Sequence, residues 1–423
     1  MRVVKMSKKI YVGFGFGPIQ SGLFVYEAFR SGNFDRLVVA EIDQGMVDAV
    51  RAAGNRYMLN IALADRIETV AVEGVELYNP NVAEDREKLV QAITEADELG
   101  TALPSVKFYS LGDSCAAKLF AEGVNRRVEP MNTVFYTAEN NNRAAEYFLE
   151  AVSPLIRSEH LAKFQALNTV IGKMSGIITE PKEIAELGIA KMAPASPKAI
   201  LVEEFNRILI TRISLDGFKR GISVLIEKDD LIPFEEAKLY GHNAIHAMMA
   251  YMGEEKGYVT MSQLAADRQI LSLARKAFLE DSGRPLCKKY ASLGDELFTE
   301  AGYRAYADDL LVRMVNPYLT DLISRVGRDH LRKLSQSDRL FGTMRLAIEQ
   351  GFTPATIALG AAAGIRSMIR RQNEINPKPV NLPAKCEDLT RESMAALLTE
   401  IWGDCNDDIA KKIIDITWKA YTA

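Results

Sequence analysis

The sequence predicts an α/β N-terminal domain followed by a mainly α-helical C-terminal domain. Short apolar runs alternate with helical patterns up to about residue 200, whereas apolar residues after Pro233 recur almost entirely at spacings of three and four. The chain of 423 residues is also too long for one ordinary hydrophobic core. We therefore expect two domains, residues 1–199 and 200–423, with the boundary in or just after the proline-containing segment 192–197.

The composition narrows the class of protein. The chain is 48% hydrophobic and 26% charged, and its formal net charge of −4 argues against a nucleic acid or an anionic membrane as partner. No apolar run approaches the length of about 18 residues that a membrane-spanning helix needs. Four cysteines lack the spacing of a metal site and indicate free thiols in the cytoplasm; they are Cys115, Cys287, Cys386 and Cys405.

The N-terminal segment has the order strand, glycine turn, helix, strand, acidic residue. Strand candidates at 9–13 and 36–40 flank a glycine-containing turn, and the second leads to Glu41. This order is typical of a Rossmann-type dinucleotide-binding unit. Gly15 and Gly17 would let backbone N–H groups approach a pyrophosphate, and Glu41 would accept hydrogen bonds from the adenosine ribose, which favours NAD over NADP. Gln20 replaces the usual third glycine, so the pattern alone is weak.

Further strand candidates continue the alternation. They cover residues 57–61, 67–70, 105–109 and 133–136, with helical patterns at 83–99 and 116–122. The last of these strands runs into the polar segment 137–142, which contains Asn140. Polar residues at the carboxyl end of a parallel strand are where open α/β sheets bind ligands. An asparagine-rich helix cap would have the same sequence, so both interpretations stay open.

Three polar residues stand out in the apolar helix that follows Pro233. Asn243 and His246, three residues apart, share one face of an α-helix, and Lys238 lies roughly 140° around the helix from Asn243. An amine, an amide and an imidazole that face one cavity could remove a hydroxyl proton and stabilise the oxygen left behind. A lysine with a solvated tip and a hydrogen-bonded core histidine are the structural alternative.

A cationic run follows the loop at 316–318. Five cations fall within fifteen residues; they are Arg325, Arg328, Arg332, Lys333 and Arg339. Such a group could bind an anionic substrate group such as a phosphate. A solvated helix face has the same composition and is the more common explanation.

Taken together, these stretches resemble the mannitol dehydrogenase family, the polyol-specific long-chain dehydrogenases. The spacing Lys238-x4-Asn243-x2-His246 is similar to the catalytic segment of the family. Residues 325–340 resemble the branch that acts on phosphorylated polyols, and residues 15–19 and 40–44 resemble the cofactor half. The match extends over nearly the whole chain.

The resemblance implies an NAD-dependent oxidoreductase that interconverts a sugar alcohol phosphate and its ketose, with mannitol 1-phosphate and fructose 6-phosphate as the expected pair. It assigns Lys238 as the general base, with a pKa lowered by burial. Asn243 and Asn168 would hydrogen-bond the oxygen that becomes a carbonyl, and His246 would orient the substrate. No metal is implied, because side chains hold the oxygen.

The resemblance also assigns the binding residues. The substrate would contact Arg325 and Lys333, and Arg328 would add a cation suited to a phosphate. The residues expected to bind NAD are Gly15, Gly17, Ile19, Glu41 and Asn140. The expected assembly is a monomer or a small homo-oligomer.

Two departures, the loss of an Asp-Arg pair and the presence of Gln20, leave alternatives open. Gly172 and Lys173 stand where the family has an Asp-Arg pair, and Gly176 occupies the small-or-proline position that follows. The first alternative keeps the chemistry but uses an unphosphorylated polyol or a hexuronate. The second is a nucleotide-binding regulatory or sensor protein without turnover.

Overall fold

The chain forms two compact units, Met1–Leu231 and Ile232–Ala423. The computed structural model describes residues 9–205, 207–403 and 407–423, so Cys405 lies outside the described residues. The sequence prediction placed the division earlier, after residue 199. The structure places it later because the next strands along the chain pair with strands of the first unit.

The strands all belong to the first unit within the described residues. They are β1 (Ile10–Phe14), β2 (Arg36–Ala40), β3 (Arg56–Ala62), β4 (Ile67–Glu73), β5 (Val75–Tyr78), β6 (Glu98–Thr101), β7 (Thr133–Thr137), β8 (Phe164–Val170), β9 (Ser175–Ile178), β10 (Ala199–Glu203), β11 (Ile208–Thr211) and β12 (Leu225–Lys228). Helices of the first unit are α1 (Tyr26–Ser31), α2 (Gln44–Ala52), α3 (Ala83–Glu95), α4 (Ala116–Asn125), α5 (Ala144–Val152), α6 (Ser158–Leu161) and α7 (Pro181–Leu187).

These strands form two sheets. The larger has the order β12-β11-β8-β7-β6-β1-β2-β5, and its six strands from β8 to β5 run parallel. The smaller has the order β4-β3-β10-β9. In the larger sheet the chain proceeds from β1 toward one edge through β2 and β5, and then from β6 toward the other. Ligands of open α/β sheets bind at the carboxyl ends of the strands beside such a reversal, here between β1 and β6.

One predicted strand is wrong. Residues 105–109 were expected to be a strand, but Val106–Tyr109 is a 3₁₀ turn that begins where the Ser105 hydroxyl accepts the backbone N–H of Lys107. Beside β1, on the side away from β2, lies β6, whose first two residues overlap the end of the helix predicted over 83–99. The helix ends at Glu95, and the four buried residues of β6 complete the parallel sheet between β1 and β7.

The second unit is helical, which confirms the predicted fold class. Its α-helices are α8 (Ile232–Glu236), α9 (Ala244–Glu255), α10 (Arg268–Lys276), α11 (Arg284–Lys289), α12 (Glu300–Met314), α13 (Ile323–Gly327), α14 (His330–Lys333), α15 (Arg339–Glu349), α16 (Ile357–Arg370), α17 (Arg391–Ile401) and α18 (Asp408–Thr422). Among the described residues, no helix has both the length and the apolar character needed to cross a bilayer.

A π-helical segment, Ala237–Asn243, joins α8 to α9. Hydrogen bonds in a π turn link residues five apart, so residues at that spacing lie roughly one turn apart. Lys238 and Asn243 have this spacing. The π turn therefore brings these two residues closer to one face than the α-helical spacing used in the sequence prediction allows.

Candidate active site

The turn after β1 is shaped for close approach by a ligand. Gly15 has a φ of +79°, in the left-handed region that glycine adopts without strain, and a Cβ there would lie 3.1 Å from the carbonyl oxygen of Ala102. Space beside Gly17 is open where a side chain would stand. Ile19 lies in the first helical turn after it. The backbone is thus accessible at the carboxyl end of β1, beside Ala102, the residue that follows β6.

The structure explains why glutamine can replace the third glycine. Gln20 is fully buried and donates a hydrogen bond of 2.8 Å from Nε2 to the Tyr11 hydroxyl. A Cβ on Gly13 would come within 2.1 Å of this Nε2 atom, so the glycine that allows close packing lies on the strand instead. The Gln20 side chain is therefore directed into the core, away from the open space beside Gly17.

Glu41 is held at the glycine turn. One carboxylate oxygen accepts the backbone N–H of Phe16 and the other accepts that of Asp43, both at 2.8 Å. Each carboxylate oxygen can accept a second hydrogen bond. Open backbone at Gly17 and a fixed carboxylate at the end of β2 fit the pyrophosphate and ribose of a dinucleotide.

The polar turn after β7 is held by hydrogen bonds within the protein, and ligand binding there stays a prediction. Buried Glu139 accepts hydrogen bonds from the backbone N–H of Leu103 at 2.8 Å and from the Thr101 hydroxyl at 2.9 Å. Asn141 accepts the backbone N–H of Arg143 at 2.8 Å, so it serves as a turn just before α5. Asn140 is exposed and stays a candidate for binding the cofactor.

Asn168 lies on β8 and is oriented by α5. Its amide oxygen accepts the backbone N–H of Ala145 at 2.8 Å, and its amide nitrogen donates to Glu146 at 2.9 Å. An amide nitrogen carries two N–H donors, so one remains for a ligand. Near the end of the same strand, the buried Lys173 donates to the Phe205 carbonyl at 3.0 Å. Lys173 thus ties the segment after β8 to the segment after β10.

Lys238 lies partly buried in the π turn of the second unit. Burial lowers its pKa from 10.5 to about 8, because the interior disfavours the ammonium form. Glu235 opposes this shift, and the nearby cation Arg339 adds to it. A lysine with such a pKa is neutral in an appreciable fraction of molecules near neutral pH, as a general base must be.

His246, one turn further along, has a partner that the sequence analysis missed. Its Nε2 atom lies 3.4 Å from Oδ2 of Asp321, whose side chain is 6% exposed. Burial lowers the pKa of His246 to about 4, while Asp321 opposes this shift. The imidazole is therefore neutral at physiological pH, with one nitrogen donating and the other accepting.

The predicted cationic cluster is largely paired with carboxylates. Arg325 donates to Asp321, and its side chain is 48% exposed. Arg332 forms ion pairs with Asp329 and Asp338, and Asp338 also pairs with Arg339; the three N–O distances range from 2.5 to 3.3 Å. Most of the positive charge is thus already balanced.

Two cations of this cluster have no carboxylate within 4.0 Å among the residues that the structure describes. Arg328 is exposed, in the segment between α13 and α14. Lys333 is buried and donates to the carbonyl of Val326. Burial, together with Arg339 and Arg332, lowers the pKa of Lys333 to about 7.

Comparisons with known proteins identify the family of the chain. Residues 230–414 match the family described as "Mannitol dehydrogenase C-terminal domain". A curated relative, mannitol-1-phosphate 5-dehydrogenase from Caldanaerobacter subterraneus subsp. tengcongensis, is 30% identical over 356 residues, which cover 83% of this chain and 84% of the relative.

Two solved structures have the same fold. The substrate-free structure of D-sorbitol dehydrogenase is 15% identical with a TM-score of 0.75, and the match covers 97% of this chain and 95% of that one. Mannitol 2-dehydrogenase from Pseudomonas fluorescens, solved with NAD and D-mannitol, is 14% identical with a TM-score of 0.69; the match covers 99% of this chain and 92% of that one. With the identity to the curated relative, these findings show that the chain belongs to the mannitol dehydrogenase family of oxidoreductases.

Proposed function

We propose that this protein is an NAD-dependent dehydrogenase that interconverts mannitol 1-phosphate and fructose 6-phosphate. The observation that carries the proposal is Lys238, with a pKa lowered to about 8, in a π turn that also holds Asn243. The relative with 30% identity is named for this activity. The glycine turn and Glu41 support NAD, because the carboxylate suits a ribose 2′-hydroxyl and repels a 2′-phosphate.

Bound NAD would accept the hydride from the carbon that carries the reacting hydroxyl. Neutral Lys238 takes the hydroxyl proton as the carbon–oxygen double bond forms, and becomes an ammonium. Asn243 donates to the oxygen on which negative charge develops. The family resemblance assigns the same role to Asn168, which keeps one N–H after its bond to Glu146. His246 orients a second hydroxyl. In the reverse direction the Lys238 ammonium returns the proton to the ketose oxygen.

In this proposal Arg325, Arg328 and Lys333 bind the phosphate. Arg325 keeps further N–H donors after its contacts with Asp321, since a guanidinium has five. The alternative substrate, an unphosphorylated polyol or a hexuronate, is favoured by one observation: Asp321 already neutralises Arg325. A regulatory protein without turnover is the weaker alternative, because the proposed base retains a shifted pKa.

The proposed activity is tested by NADH oxidation, followed by absorbance, with purified protein and fructose 6-phosphate. Fructose, fructuronate and tagaturonate are assayed in parallel, and NADPH replaces NADH as the cofactor control. We expect turnover with fructose 6-phosphate and NADH. Activity confined to an uncharged or carboxylate ketose would keep the chemistry and exclude the phosphate site. Absence of turnover with every ketose, while NADH still binds, would favour the regulatory alternative.

Arg328→Ala is expected to raise the KM for fructose 6-phosphate about tenfold, the lower end expected for a hydrogen bond to a charged group. The KM for fructose should change little, because fructose lacks the phosphate. Steady-state kinetics with both substrates check this. Arg332→Ala is the matched control, since it removes the same charge from a residue that already has carboxylate partners. Equal effects of Arg328→Ala on both substrates would exclude Arg328 from phosphate binding.

The two directions of the reaction should depend on pH in opposite ways. Alcohol oxidation needs neutral Lys238, so its kcat should rise with pH through about 8. Ketose reduction needs the ammonium form, so its kcat should fall over the same range. His246, with a pKa of about 4, stays neutral above pH 6 and should add no inflection there. Both kcat values are measured at saturating substrate, so a change in the charge of Lys333 that alters substrate binding does not affect them. If kcat changed with pH in the same direction for oxidation and reduction, Lys238 would not be the group that transfers the proton.

A further inference from the structure

Asp321 lies between two residues of the proposed substrate site. It follows Thr320, whose φ of +47° is in the left-handed region that a β-branched residue rarely adopts. The backbone carbonyl of Asp321 accepts the N–H of Met261 at 2.8 Å, which fixes this part of the chain just before α13. A strained residue beside a buried carboxylate indicates that the position of the carboxylate is closely determined by its surroundings.

The two oxygens of this carboxylate face different partners. Oδ1 accepts two hydrogen bonds from Arg325, one of 2.9 Å from Nε and one of 2.6 Å from Nη2. Oδ2 lies 3.4 Å from Nε2 of His246. Both Oδ2 and Nε2 are buried, and neither has another hydrogen-bond partner among the described residues. Burying a polar atom without a hydrogen bond costs free energy, so a contact between these two atoms stabilises both.

We infer that Asp321 is a positioning residue that fixes the tautomer of His246 and the orientation of the Arg325 guanidinium for substrate binding. This inference rests on the proposed function. Contact with the carboxylate places the imidazole proton on Nε2, which leaves Nδ1 as the acceptor for a substrate hydroxyl. The same carboxylate holds Nε and Nη2 of Arg325, so the remaining N–H donors have a defined direction. A purely structural Asp321 would stabilise α13 without determining the tautomer.

The test is the tautomer of His246, read from the ¹⁵N shifts of the imidazole in the full-length protein. The chain has four histidines, so the spectrum is simple, and His246→Gln assigns the resonance. We expect wild-type His246 to carry its proton on Nε2. Asp321→Asn should produce a detectable population with the proton on Nδ1. A proton on Nδ1 in the wild-type protein would overturn the inference without any need for the variant, as would an unchanged tautomer in a folded Asp321→Asn.

Kinetics give a second readout. Asp321→Asn should lower kcat/KM for the ketose that the wild-type enzyme uses by about 10- to 100-fold, because a small misplacement of substrate-positioning groups can cost up to about 10²-fold. Asp321→Glu should restore part of this loss. The matched control is Asp267→Asn, which alters another buried carboxylate of the second unit that caps α10 and pairs with Lys256. It should leave both the His246 tautomer and kcat/KM unchanged.

The two readouts separate this inference from the proposed function. Failure of the wild-type protein to turn over any ketose would count against the proposed function, while the tautomer of His246 would still be measurable. Normal turnover by a folded Asp321→Asn would overturn the positioning role and leave the proposed function intact.

Discussion

Lys238→Ala is expected to lower the kcat for ketose reduction by about 10³-fold, within the range that general acid–base groups contribute. The loss should appear in kcat because the ammonium acts on the reacting oxygen, not in cofactor recognition. NADH binding, measured by fluorescence titration, should stay within about twofold of the wild-type affinity, because the proposed cofactor residues Gly17 and Glu41 lie in the first unit.

Lys238→Met is the matched variant, since it keeps most of the side-chain volume in the π turn and removes only the amine. It should lose as much activity as Lys238→Ala, with less change in the thermal midpoint. Retention of most of the wild-type rate by either folded variant would exclude Lys238 as the group that transfers the proton.

Asn243→Ala is expected to lower kcat by about 10²- to 10³-fold, the usual effect of removing one donor to a developing oxyanion. Its side chain is only partly buried at the end of the π turn, so the thermal midpoint should change little. The measurement is kcat in both directions together with thermal unfolding. Loss of activity that parallels unfolding would instead indicate a structural role.

Asn168→Ala provides the comparison. This asparagine also orients the N-terminus of α5 through Ala145, so its removal should lower the free energy of unfolding by about 1 kcal/mol. We therefore expect Asn168→Ala to reduce both stability and kcat. A stable, fully active Asn168→Ala would contradict both roles.

Local sequence chemistry was sufficient to predict the first two strands of the first unit and the turn between them. The apolar runs at β1 and β2, the glycines between them and the acidic residue after them are each weak signals, but together they fit one Rossmann-type unit. The strand predicted at 105–109 failed because apolar residues in a short turn resemble a short strand. Its real counterpart, β6, is only four residues long and contains a glycine, so its own sequence gave little indication of a strand.

Residues 238–246, the proposed catalytic segment, were expected to be α-helical throughout, and the structure gives them a different local geometry. Spacing along an ideal α-helix separates Lys238 from Asn243, and only the structure shows the π turn that brings them closer to one face. A π turn depends on how the helix packs against its surroundings, so it could not be predicted from the sequence alone.

The cationic cluster shows what single-sequence reasoning overlooks. Asp321 precedes Arg325 by four residues, and Asp329 precedes Arg332 by three, so helical spacing could have predicted both ion pairs. Counting cations without their neighbouring carboxylates overestimated the charge available to a phosphate. The contact between Asp321 and His246 had no such local indication, because the two residues are distant in the sequence.

The most direct test of the account is the pH dependence of a single turnover in wild type and in Lys238→Ala. Excess enzyme carrying NADH is mixed with fructose 6-phosphate across pH 6 to 10, which makes even a slow residual rate measurable. We predict that the wild-type rate falls with an inflection at pH about 8, and that the slow rate of Lys238→Ala has no inflection in this range. The same inflection in Lys238→Ala would contradict the account, because another group would then carry the proton.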